Sequence, residues 1–149
     1  MYNNLKINSL YIANNFLTGI DISNLKELKQ HDLLSMANLN TDYANFYPTI
    51  AKKVYDRNNK MVTSGKIGTG FRVETENMEY NVTVLGDING DGELSAVDVS
   101  KVYQYLKEKI EMEEYDIFAA NVSKGNKNIT IADVAQMYQY LKGKINRWE

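Results

Sequence analysis

The sequence predicts two modules of different class: an all-β module over residues 1–84 and an all-α module over residues 85–149. Three observations carry this reading. Up to about Val84, short apolar stretches alternate with polar residues, as in LKINSLYIA, IAKKVYD, GFRVETE and YNVTVLG. After Gly86 the apolar period becomes helical, with Val99, Val102, Leu106 and Ile110, then Val134, Met137, Leu141 and Ile145. The string YQYLK occurs at 103–107 and again at 138–142, an offset of 35, which Asp98 and Asp133 share. Two loop-helix units in tandem are therefore expected, each burying its apolar stripe against the other.

Within the first module, KKVYDRNNKMVTS predicts two strands around an Asn-Asn turn. Arg72, Glu74 and Glu76 alternate with Phe71, Val73 and Thr75, which predicts a half-buried edge strand. Residues 25–39 dissent with helix-like spacing, and HDLLSMANL is expected to be a short helix. No Gly- or Pro-rich linker separates the halves, so the last strand is expected to run straight into the loop that follows.

Composition narrows the function. The net charge of -2 provides no field to attract nucleic acid or anionic lipid. No segment has the roughly 18 uninterrupted apolar residues of a membrane helix. There are no cysteines and one histidine, His31, so thiol chemistry and multi-histidine metal sites are excluded. No nucleophile stands with a base, and the chain is expected not to be an enzyme. The opening YNNLKINSLYI reads as a strand, and the chain is expected to be a piece of a longer protein that carries an enzyme or scaffold elsewhere.

The segment DINGDGELSAVD, residues 87–98, predicts a calcium loop. Calcium takes six to eight oxygens at about 2.3–2.6 Å. Asp87, Asn89 and Asp91 stand at loop positions 1, 3 and 5, and Gly92 at position 6 permits the sharp turn. Glu93 at position 7 offers its main-chain carbonyl, Ser95 at position 9 contacts the ion directly or through water, and Asp98 at position 12 closes the site from the helix. Leu94 is the apolar anchor, expected to pack with Ile129. The second loop is degraded. From Asn121 to Asp133 it has thirteen residues against twelve, with Asn121 and Ser123 at positions 1 and 3 and Asp133 as its one carboxylate. It is expected to bind weakly or stay empty, its turn held by a lysine in the vacated space or by Asn side chains.

GDINGDGELSAVDVSKVYQYLK, followed by AANVSKGNKNITIADVAQMYQYLKGKI, resembles a dockerin module over residues 85–146. The resemblance implies three helices, with a short middle one near 111–118, and docking onto a cohesin domain in an extracellular, cellulosome-like assembly for polysaccharide degradation. It implies partner contacts at Ala96, Val97, Tyr103, Gln104 and Glu108 in the first copy, and at Ile131, Ala132, Tyr138, Gln139 and Gly143 in the second. The alternative for the tyrosines is burial in the core or in packing between the modules. Differences between the copies, such as Glu108 against Gly143, favour one dominant binding mode. In the first half, KVYDRNNKMVTSGKIGTG followed by a final strand is similar to the small immunoglobulin-like X modules that precede some dockerins, which implies a β-sandwich that supports the dockerin fold. The unbound chain is expected to be a monomer. Two competing readings remain: sugar or cell-wall binding by Tyr43, Tyr47 and Tyr55 of the N-terminal module, and a calcium sensor.

Overall fold

A computed structural model describes residues 35–46, 53–75, 79–123 and 127–148. Its elements run β1 (Ser35–Ala37), a 3-10 turn (Tyr43–Asn45), β2 (Lys53–Tyr55), β3 (Met61–Val62), β4 (Arg72–Glu74), β5 (Glu79–Val84), α1 (Ala96–Leu106), α2 (Glu114–Ala120) and α3 (Ile131–Leu141). The strands form one sheet in the order β1-β5-β4-β2-β3. β1 pairs parallel to β5, and the other pairings are antiparallel.

The β2–β3 hairpin forms as its turn residues dictate. The Asp56 carboxylate accepts from the backbone amides of Asn58 and Lys60, and Asn59 takes the left-handed conformation at φ 61. Val54, Val73, Val82 and Val84 point one way from the sheet and meet Phe46, Ile67 and Phe71 in a fully buried core. On the wet face Arg72 sits over the Tyr55 ring at 4.2 Å and bonds Glu74 and Glu79. The hydrogen bond from Arg72 holds the Glu74 carboxyl below its ordinary range.

Three expectations need correction. The strand holding Arg72 and Glu74 has the expected alternation, but it is an inner strand, flanked by β5 and β2. Alternation reports which face is wet and is blind to whether both edges are paired. The expected helix at HDLLSMANL gives way at its end to β1, because Ser35, Met36 and Ala37 pair with Val82, Thr83 and Val84. Here the edge of β5 overrides local helical spacing. His31 to Leu34 lie outside the described residues, as do the first strand expected at LKINSLYIA and Tyr47. Leu141 is 37% exposed, so it does not join the buried stripe of its helix. The described strands make one sheet; a second sheet, which a sandwich needs, is not found among the described residues.

β5 leads directly into the second module through a turn at Leu85 and Gly86. α1 and α3 pack on each other, and Val102, Met137, Ala119, Ala120, Val122, Ile88 and Ile129 form a second core, which Leu94 joins as expected. Both long helices end in the same Schellman arrangement. The amides of Lys109 and Lys144 bond the carbonyls of Gln104 and Gln139, and Glu108 and Gly143 hold the left-handed position. Glu108 and Gly143, one of the differences between the copies, therefore stand where a helix must stop. Trp148 stacks on Tyr140 at 4.4 Å and fills the space beside Gly86, tying the chain's last described turn to the module junction.

Thr83 is buried on β5, and its hydroxyl has no hydrogen-bond partner among the described residues. Thr83→Val keeps the branched shape and removes the stranded hydroxyl. It is expected to raise unfolding free energy by about 1 kcal/mol in denaturant titration; a loss of stability would show that the hydroxyl is satisfied.

Candidate calcium loops and docking face

The first loop is organised around two buried carboxylates. Asp87 Oδ1 accepts from the amides of Gly90 and Asp91 at 2.7 and 3.2 Å. Its Oδ2 accepts from Gly92 of the loop and from Thr69 of the N-terminal module, each at 2.9 Å. Asp98 reaches back from α1: Oδ1 accepts from Ile88 and Asn89, and Oδ2 from the amide and hydroxyl of Ser95. Ser95 in turn caps the helix, so Ser95 and Asp98 form a capping box. Asp91 lies at the exposed rim, bonded to the Asn89 side-chain amide at 2.7 Å, and among the described residues no three carboxylates are drawn into one cluster. Glu93 turns its side chain outward, as expected for a residue that serves through its carbonyl, and pairs with Lys66.

The donor set suits calcium. Every candidate ligand atom is an oxygen, as a hard cation requires. Asp87 and Asp98 are fully buried, and among the described residues neither is paired with a lysine or arginine. Burial pushes the Asp87 carboxyl above its ordinary range; the backbone bonds pull it down, and the charge of Asp98 pushes it further up. Two like charges in one dry place are what a divalent cation offsets.

The second loop repeats the scaffold without the charges. Asp133 is fully buried; Oδ1 accepts from the amide and hydroxyl of Ser123, and Oδ2 from the amide and hydroxyl of Thr130. Thr130 and Asp133 form the same capping box as Ser95 and Asp98. Asn121 is half-buried at the end of α2. Lys127 is exposed and Lys124 lies outside the described residues. The turn is thus held by its own carboxylate, a device that the sequence reading passed over. The 35-residue offset from Ser95 to Thr130 was the signal for it.

The expected partner-contact residues stand out from the helices. Ile131 is 64% exposed, Val97 54%, Tyr138 50% and Tyr103 47%, so the two tyrosines do not belong to the core. Ala96, Glu108, Ala132, Gln139 and Gly143 are exposed too, and Gln104 is half-buried with its amide on Ser100. Lys107 and Lys142 lie over the rings of Tyr103 and Tyr138 at 5.6 and 5.4 Å, one helical turn on. In the N-terminal module Tyr43 packs against the core, and Tyr55 is half-buried beneath Arg72. Among the described residues that module shows no row of exposed aromatic rings.

Two loop-helix units, each closed by an aspartate at the head of its helix, define a duplicated EF-hand-like module. Its family follows: residues 85–141 match the model of the dockerin type I domain, and this part of the chain belongs to that family. Among solved structures the chain is similar to the ScaB dockerin of Acetivibrio cellulolyticus, determined with a mutation in its N-terminal helix and in complex with the third cohesin ScaC. The identity is 32%, the match covers 44% of this chain and 92% of that one, and the TM-score is 0.41. No curated protein matches. No described helix is long and apolar enough to cross a membrane.

Asp98→Asn and Asp133→Asn separate the two loops. Asp98→Asn is expected to lower calcium affinity by at least about tenfold, as loss of a charged ligand should. Asp133→Asn should lower thermal stability and leave calcium stoichiometry at one. Calorimetric titration reads affinity and stoichiometry, and thermal melting reads stability; a stoichiometry of two in the parent chain would show that the second loop also binds.

Proposed function

We propose that the C-terminal module docks in a calcium-dependent manner onto a cohesin domain, joining its parent protein to an extracellular, cellulosome-like complex for polysaccharide degradation. The observation that carries this is the exposure of Val97, Tyr103, Ile131 and Tyr138 on a dockerin type I domain whose own core is otherwise well buried. Four large apolar groups left in water are the anchors a protein interface needs. The chain is the connector, and any catalysis resides elsewhere in the parent protein.

Calcium, when bound, supplies positive charge beside the two buried carboxylates of the loop, Asp87 and Asp98. Asp87, Asn89, Asp91, the Glu93 carbonyl, Ser95 and Asp98 would hold it. The second loop keeps one carboxylate, which already accepts four bonds from Ser123 and Thr130, and serves as a metal-free turn. Asp98 is the link between metal and partner. It heads α1, the helix that presents Val97 and Tyr103. Because the ion binds the folded loop and not the unfolded chain, it adds about 2.7 kcal/mol to folding at a hundred times its dissociation constant. The N-terminal module is an X-module-like support for this surface.

A pull-down against a panel of cohesins, with and without EDTA, tests the reading. Chelation is expected to abolish capture and reduce helical circular dichroism; unchanged binding and spectrum in EDTA would sink it. With one dominant mode, only one of Tyr103→Ala and Tyr138→Ala should weaken binding strongly, by about 2 kcal/mol or more. Equal, mild losses from both would mean that both faces are used.

A further inference from the structure

We propose that the N-terminal sheet completes the first calcium site, with residues 67–69 and Arg57 as positioning groups for Asp87, so that calcium binding and the contact between modules are thermodynamically linked. The inference rests on the reading of residues 87–98 as a calcium loop and goes beyond it, since none of these groups belongs to the loop.

Four contacts join the sheet to the loop. The Thr69 amide donates to Asp87 Oδ2 at 2.9 Å and shares that oxygen with Gly92, which fixes how the carboxylate is turned. The Asn40 amide donates to the Gly92 carbonyl at 2.7 Å. Lys66 pairs with Glu93. The backbones also touch: a Cβ on Gly68 would meet the Gly90 carbonyl oxygen at 2.0 Å, and one on Gly92 would meet the Ile67 carbonyl oxygen at 2.6 Å. Gly68, Gly90 and Gly92 are thus glycines of one shared contact, and Gly92 is required by its neighbour as well as by its φ of 80.

Arg57 holds the donor segment in place. Its Nε donates to the Thr69 carbonyl and its Nη2 to Asp116 of α2, both at 2.6 Å, while the guanidinium lies 5.2 Å from the Tyr115 ring centre. Thr69 is itself anchored through its hydroxyl, which bonds the carbonyl and amide of Val84. Thr69, whose amide faces Asp87, is therefore held through its carbonyl by Arg57, which also reaches α2, and through its hydroxyl by β5. Outer groups that orient a ligand commonly change metal affinity tenfold to a hundredfold. Binding free energies couple in both directions, so an ion that orders Asp87 also tightens the sheet segment bonded to it.

The test compares the parent chain with Gly68→Ala and Arg57→Lys. Gly68→Ala pushes residue 68 off Gly90. Arg57→Lys can reach Asp116 or the Thr69 carbonyl but not both. Calorimetric titration with calcium chloride is expected to show about tenfold weaker binding in each variant. In the parent chain, hydrogen exchange at the Thr69 amide should slow on calcium addition. Parent-like affinity in a folded variant, with stability lowered equally in calcium and in EDTA, would make the contact merely structural and overturn the inference. So would calcium-independent exchange at Thr69, which is measurable even where a variant fails to fold. A parent chain that binds no calcium would instead overturn the reading of the loop itself.

Discussion

Asp87 accepts hydrogen bonds from four backbone amides, three within its own loop and one from Thr69 across the module boundary. A buried carboxylate costs several kcal/mol unless such donors or a cation compensate it. Much of the molecule can be understood from that requirement. The loop must curl tightly enough to aim three amides inward. The sheet must approach closely enough to supply the fourth. Gly68, Gly90 and Gly92 let two backbones come within contact distance, and Arg57 ties the donor segment to α2. Burial pushes the Asp116 carboxyl above its ordinary range, while Arg57 pulls it down. The clamp is thus a charged pair set in a partly dry boundary.

The same reasoning separates the two copies. Both keep a capping-box aspartate at the head of the helix, bonded to a Ser or Thr three residues earlier. That part serves folding, with or without an ion. The first copy adds Asp87, Asn89 and Asp91, and the second replaces them with groups that carry no negative charge. In the second, the hydroxyls of Ser123 and Thr130 satisfy the remaining carboxylate. The first loop gathers two buried carboxylates, Asp87 and Asp98, whereas the one buried carboxylate of the second, Asp133, is met by the amides and hydroxyls of Ser123 and Thr130.

The duplication, the two long helices and the hairpin were legible because each rests on local spacing, while the short middle helix followed from the family resemblance alone. Ligands in an EF-hand-like loop must alternate, and a helix must repeat its apolar positions. What was not legible depends on the path of the sheet. Residues 35–37 become a strand because β5 offers them an open edge, which no local pattern announces. β4 is central because β2 and β5 flank it, yet its own residues describe only a wet face and a dry one. Thr69 contributes to the site through its backbone amide, which every residue except proline possesses, so its type carried no signal. Arg57 looked like one charge in a turn until the fold brought it to Thr69 and α2.

The exposed groups show why a metal is useful here. Val97 is the second residue of α1, Ile131 the first of α3, and each lies in the turn that its capping box organises. Helix ends fray first, since their amides lack internal partners. An interface placed on a first turn therefore depends on whatever fixes that turn. For α3 the fixing is permanent, through Thr130 and Asp133. For α1 the helix head is joined through Asp98 to a loop that contains a second buried carboxylate, and the order of the whole depends on how their repulsion is relieved. Calcium held in the loop, as proposed, would add to the capping box that both helices share and steady the first turn of α1 from within.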